Sequence, residues 1–396
     1  MLKITTYGFT STAFLMLILM RPSTGLLGDY SYLMNGFIAL SASVLCVYLI
    51  IKDQKFRCSR AYLYFILISV VGDILNLGLN VSFSEYVRLF SILSFQVLAI
   101  NFITNYQSFS LAKITFLGSL IPLGFGFFQL AVGDYYNFYE TRGGTDVSSH
   151  AIRSIFVHPN AFGVYLVAIF SLLFSYALFV KPQRKFFYIA IGALLFAVVL
   201  TKARVAYVGI ASIVLFYLTF KYGKKNIILW VIALIVVIMA SSLFYEEVIS
   251  SGKGIRSIMW RLDLWHRLFS MVELKDYLFG AGSDASTYYI TQKLNIAYVS
   301  EPHNDYLRVF INAGVFGLIF YFAPAFILIF RCLTKRVCSG KIMIARFLGG
   351  SLSAAFVVMS ITDNIYSDTN FQIVFWGIVV ISSFYDFQHK ILSRKL

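Results

Sequence analysis

Apolar runs close to twenty residues long recur from one end of this chain to the other, and they decide what it can fold into. A helix needs ~20 mostly apolar residues to cross the hydrocarbon layer of a bilayer. In lipid, such a run must satisfy its own backbone polar groups, so it folds as a helix. Between polar punctuation the runs fall near 5–20, 32–51, 61–80, 86–104, 114–133, 160–180, 186–201, 205–220, 226–243, 305–330, 342–362 and 371–387. Charged residues make up 13% of the chain, about half the ~25% of a soluble domain, which excludes a water-soluble enzyme. The chain reads as an all-α polytopic membrane protein of about twelve transmembrane helices. Residues 1–243 hold nine spans, 244–304 form a large loop, and 305–396 hold three more spans and a tail.

The formal net charge of +15 would also suit a nucleic-acid binder, but its placement points elsewhere. With the N-terminus inside, the inner segments carry 19 Lys and Arg and the short outer segments carry six. Basic residues concentrate on the cytoplasmic side of membrane proteins. Both termini are therefore expected in the cytoplasm and the large loop outside, with no nucleic-acid partner. Charges within the spans are few, Asp73 and Arg346 chief among them, and the two are expected to pair or to reach for the interface. No internal repeat of the kind seen in secondary transporters stands out.

The informative polar residues gather on the outer face. Thr201-Lys202-Ala203-Arg204 is a pinched turn between two spans, with Arg204 at a helix start. There helix N–H groups and a guanidinium can jointly hold an anion, even though the cation opposes the helix dipole. In the large loop, Ser257–Leu274 places Ile258, Leu262, Trp265, Phe269 and Val272 on one predicted helix face, suited to lying at the bilayer surface. On its polar side Asp263 and Arg267 stand four apart and can pair. Arg261 has no acidic neighbour at that spacing, which makes it the better ligand cation.

The loop closes on Glu301-Pro302-His303-Asn304-Asp305. Pro302 stops a helix from extending backwards, and Asn304 or Asp305 is a suitable N-cap. His303 thus sits just before a helix N-terminus, whose dipole favours the neutral ring that a general base needs. Glu301 and Asp305 push the other way. The five histidines (150, 158, 266, 303 and 389) show no metal-ligand spacing, and neither metal nor cofactor is expected.

His303-Asn304, followed after nine residues by Gly314-Val315-Phe316-Gly317, resembles the His-(Asn/Ser/Gln)-x9-Gly-x-x-Gly pattern of the O-antigen ligase and Wzy-type polymerase superfamily. Leu278-Phe279-Gly280-Ala281-Gly282 is similar to that superfamily's Gly-x-Gly segment. Arg204 and Arg261 resemble its arginines between adjacent spans and early in the large loop, and Asp363 resembles an acidic residue found after the eleventh span. The resemblance implies a fold like that of the C-type glycosyltransferases. It also implies transfer of a glycan from undecaprenyl diphosphate to an acceptor sugar hydroxyl, without metal, on the periplasmic or external side of the bacterial inner membrane. In that reading His303 is the catalytic base and Arg204 and Arg261 bind the diphosphate. Asn304, Asp363, Gly314 and Gly317 support them. Direct attack by the acceptor implies inversion at the anomeric carbon.

The implied partners are the lipid-linked oligosaccharide donor and acceptor, membrane lipids and a chain-length regulator protein. Pro-His-Asn-Asp-Tyr-Leu at 302–307 leans toward a polymerase of O-antigen, capsule or exopolysaccharide repeat units. The alternatives are an O-antigen ligase acting on lipid A-core and, from another class, a glycan or lipid transporter.

Overall fold

The computed structural model describes residues 16–17, 20–53, 58–76, 82–105, 108–132, 151–156, 158–179, 184–223, 253–296, 299, 301–334 and 340–393. Among the described residues the chain is helical and without strands. A 3-10 segment, Arg21–Tyr30, leads into α1 (Ser31–Asp53), α2 (Arg60–Leu75), α3 (Phe83–Asn105) and α4 (Ser108–Val132). Then follow α5 (Pro159–Phe179), α6 (Arg184–Thr201), α7 (Arg204–Tyr222) and, from the large loop, α8 (Lys253–Ser270). The bundle closes with α9 (Asp305–Thr334), α10 (Gly340–Met359) and α11 (Thr369–Ser393). All but α8 fall on ten of the twelve expected spans. The expected span at 226–243 lies outside the described residues, as does almost all of that at 5–20. Seven of these helices are long and apolar enough to cross a membrane, and two further apolar helices are shorter.

The core lies where α9 and α10 pack on each other, with α7 and α5 on the α10 side and α2 on the α9 side. Its centre is aromatic: Trp376, Tyr62, Phe65, Tyr321 and Phe356 are fully buried and their rings pack together. Tilted and edge-on packing of this kind adds to simple area burial.

The large loop is anchored by glycine. Helix α9 is broken at Gly314, whose φ of 66° and ψ of −165° leave the helical region. The backbone groups freed by the break are taken up by the loop: Val315 N–H donates to Tyr277 O at 2.8 Å and Ala281 N–H donates to Ile311 O at 2.8 Å. A Cβ on Gly280 would stand 2.3 Å from the backbone of Asn312 and Ala313. On Gly314 it would stand 2.4 Å from Leu278. The two glycine motifs of the sequence are thus two halves of one joint. Beyond it, Asn312 accepts from Ser286 N–H and donates to Ser283 O.

One expectation is corrected. Asp73 does not pair with Arg346; its carboxylate takes Ser283 N–H at 2.7 Å and the Tyr86 hydroxyl. The loop reaches Asp73 first because it descends onto α2, with Phe279 O 2.5 Å from where a Cβ of Gly72 would lie. In α8 the buried stripe is Leu264 and Leu268, packed with Phe310, Ile311 and Val272, while Leu262 and Phe269 are 49% and 52% exposed. The helix has apolar residues on two faces, and the rotation that buries Leu264 and Leu268 also turns half-buried Arg261 toward the bundle.

Candidate active site

The segment leading into α9 is pinned at each residue. Glu301 accepts from Arg308 at 2.5 Å and from Ser367 at 2.9 Å. Trp265 of α8 donates its indole N–H to Pro302 O at 2.6 Å. Asn304 is the N-cap, its Oδ1 taking Leu307 N–H at 3.0 Å, so the choice left open between it and Asp305 falls to Asn304. Asp305 is instead buried, accepting from Ser360 Oγ and Tyr366 N–H. Between these fixed points His303 is held at φ 53°, in the left-handed region where non-glycine residues are uncommon and strained.

Behind it Arg88 and Arg308 lie over the Tyr366 ring, at 4.3 and 4.8 Å from its centre. Tyr366 O–H donates to Glu85, which is also clasped by Arg88. These four packed groups stiffen the turn after α10 from which the next residues come.

That turn supplies Asp363, whose Oδ1 stands 3.5 Å from His303 Nδ1. The same carboxylate accepts from Asn160 Nδ2 at 2.8 Å and from Asn364 N–H at 2.9 Å. The Asn364 amide is 3.1 Å from the same imidazole nitrogen, while its Oδ1 is buried without a partner. An Nδ1–H on the imidazole has Asp363 Oδ1 as its acceptor. In that tautomer Nε2 is the basic nitrogen.

Arg261 reaches the same turn, donating from Nη1 to Thr362 O at 2.7 Å. Burial lowers its guanidinium from the ordinary value, and nearby Arg204 lowers it further while Asp363 opposes both. A guanidinium whose charge is disfavoured by burial and by a second cation makes a place that an anion relieves. Arg204 opens α7 after Lys202 at φ 52°, and Ala203 at the cap provides no side-chain hydrogen bond. Gly163 of α5 lets this turn approach, for a Cβ there would meet those of Ala203 and Ala206 at 2.9 and 3.0 Å. Arg267, by contrast, pairs with Asp263 at 2.9 Å, both exposed.

His303, Asp363, Asn160 and His158 line one cavity of about 440 Å³ with Arg21, Asp368 and Asn370, within the ~300–1,000 Å³ of small-molecule sites. The structure therefore brings His303, Arg204, Arg261 and Asp363 to one end of the bundle. Asn304 caps the helix beside them. Gly314 lies further along α9 at the loop joint, and at Gly317 beyond it a Cβ would stand 2.3 Å from that of Ala313 in the same helix. Asn160 and Asn364 carry no motif, and nothing in the sequence marks them as partners of Asp363 and His303.

Fold and cluster together define a polytopic α-helical membrane protein with an imidazole–carboxylate pair and two guanidinium groups at one end of its bundle. Residues 189–322 match the family model for O-antigen ligase. The match covers about a third of the chain, including Arg204, Arg261, His303 and both motif glycines but not Asp363. No curated protein matches the chain.

Proposed function

We propose that this protein polymerises lipid-linked repeat units of an O-antigen, capsular or exopolysaccharide. It would transfer the growing glycan from undecaprenyl diphosphate to a sugar hydroxyl on an acceptor repeat unit. The observation that carries this reading is the meeting of Arg261 and His303 on consecutive residues, Thr362 and Asp363, with Arg204 close by. Fixed guanidinium groups stabilise the negative charge that gathers on a departing diphosphate. The acceptor hydroxyl gives its proton to His303 Nε2 as its oxygen bonds to the anomeric carbon and the bond to the diphosphate oxygen breaks. Undecaprenyl diphosphate departs with both electrons of that bond, the anomeric configuration inverts, and the imidazolium, steadied by Asp363, returns its proton to water. The distribution of basic residues supports an inner-membrane protein with cytoplasmic termini and this site on the external side.

A second reading, transfer of finished polymer to lipid A-core, has the description of the matching family in its favour. The glycan profile of a deletion strain decides between them. Loss of the polymerase leaves lipopolysaccharide bearing a single repeat unit or none of the secreted polymer. Loss of a ligase leaves bare core and accumulated lipid-linked polymer. A wild-type profile overturns both.

A further inference from the structure

Away from His303, the far wall of the cavity is built from the 3-10 segment before α1 and the start of α11, and the mechanism above makes no use of it. Three buried polar atoms there have no hydrogen-bond partner among the described residues: Arg21 Nε, Asp368 Oδ2 and Asn370 Oδ1. Each belongs to a side chain whose other duties are visible or absent. Asp368 caps α11 through Oδ1, which accepts Phe371 N–H at 3.0 Å, so only Oδ2 is left over. Burying a polar atom without a partner costs roughly 1–3 kcal/mol, and three such costs along one wall mark a surface made for a polar ligand.

The chemistry of the three atoms selects the ligand. Two are acceptors and one is a carboxylate oxygen, which repels a phosphate. Arg21 stands near Asp368 and stabilises its carboxylate, so the pair offers little net charge to an anion. Two acceptors beside one donor suit a group rich in hydroxyls. Phe156, Ile155 and Ile365 on the same cavity can take the apolar face of a sugar ring. Asp363 lies close enough to Asp368 to raise it, so this wall shares one cavity with His303, and neither Arg204 nor Arg261 lines that cavity.

We propose that Arg21, Asp368 and Asn370 form the acceptor-sugar subsite, taking an uncharged pyranose whose hydroxyls donate to Asp368 and Asn370 and accept from Arg21. This rests on the glycan-transfer reading and adds to it which wall holds which substrate.

The test is direct binding to purified full-length protein in lipid nanodiscs. One probe is the free repeat-unit oligosaccharide released from the strain's own polysaccharide, which carries no lipid or phosphate. The other is undecaprenyl diphosphate alone. Asn370→Ala should weaken oligosaccharide binding about tenfold, the loss of one good hydrogen bond, and leave undecaprenyl diphosphate binding within about twofold. Asp368→Asn keeps the α11 cap and should weaken the oligosaccharide in the same direction. A cooperative thermal transition in both variants establishes that they are folded. Undiminished oligosaccharide binding in both folded variants overturns the subsite, and so does weakened binding of undecaprenyl diphosphate instead. If wild-type protein binds undecaprenyl diphosphate but no oligosaccharide, the subsite fails while the donor reading stands. If the deletion strain has a wild-type glycan profile, the transfer reading itself fails.

Discussion

Replacing Gly280 by Ala tests whether the glycine joint holds the large loop on α9. Gly280 has φ 79°, and its added Cβ would lie 2.3 Å from Asn312 C and Ala313 N. Left-handed backbone costs a residue with a Cβ about 1–2 kcal/mol. Overpacking costs a further ~1–3 kcal/mol, and the upper part applies because the obstacle is backbone, which has no rotamer to give. The expected destabilisation is therefore about 3–5 kcal/mol. Gly192→Ala is the control: it lies within α6 with open space where a Cβ would go, so it should be neutral or stabilising by up to ~1 kcal/mol. The assay is thermal unfolding of the purified protein in one detergent, where Gly280→Ala should lower the midpoint by roughly 5 °C or more. Since the joint also sets where α8 and the His303 segment sit, glycan transfer should fall with it. A Gly280→Ala protein that melts with the wild type would mean the joint yields, and that the loop is positioned by something else.

Arg261→Lys keeps the charge but loses the planar fork that reaches Thr362 O, and should cut transfer strongly. Arg267→Ala breaks an exposed pair worth ~0–1 kcal/mol and should leave transfer near wild type; in vitro rates with lipid-linked substrate rank the two. Asp363→Asn leaves His303 without its carboxylate and should slow transfer by ~100-fold or more, with substrate binding little changed. Burial raises Asp368 to about 6 from the ordinary 3.8. The folded protein therefore binds its proton more tightly than the unfolded chain does, so its contribution is full below pH ~4 and is lost as pH rises through about 6. The gap in melting midpoint, wild type minus Asp368→Asn, should accordingly shrink between pH 4 and pH 7, and a flat or widening gap would refute the assignment.

The helical membrane architecture was legible because lipid leaves the backbone one local solution, so twenty-residue apolar runs are read directly as elements. Arg261 and Arg267 were also separable from sequence, since Asp263 lies four residues from Arg267 and no acidic residue lies three or four residues from Arg261. The stripe of α8 that packs on the bundle was not legible. Both of its apolar stripes satisfy the helical period, and the choice of Leu264 and Leu268 depends on Phe310 and Ile311, more than forty residues away. Asn160 and Asn364 escaped for a similar reason: their roles arise only where the start of α5 meets the turn after α10. Asp73 was misread because its partner, Ser283, is a backbone N–H that no side-chain pairing rule reveals.

The central claim is that His303 takes the acceptor's proton beside two guanidinium groups that hold the diphosphate. Its most direct measurement is transfer by purified protein in proteoliposomes supplied only with lipid-linked repeat units, comparing wild type with His303→Ala. The account predicts polymer and released undecaprenyl diphosphate from the wild type and neither from His303→Ala, although the variant still binds undecaprenyl diphosphate. Polymer formed by His303→Ala at the wild-type rate would contradict it.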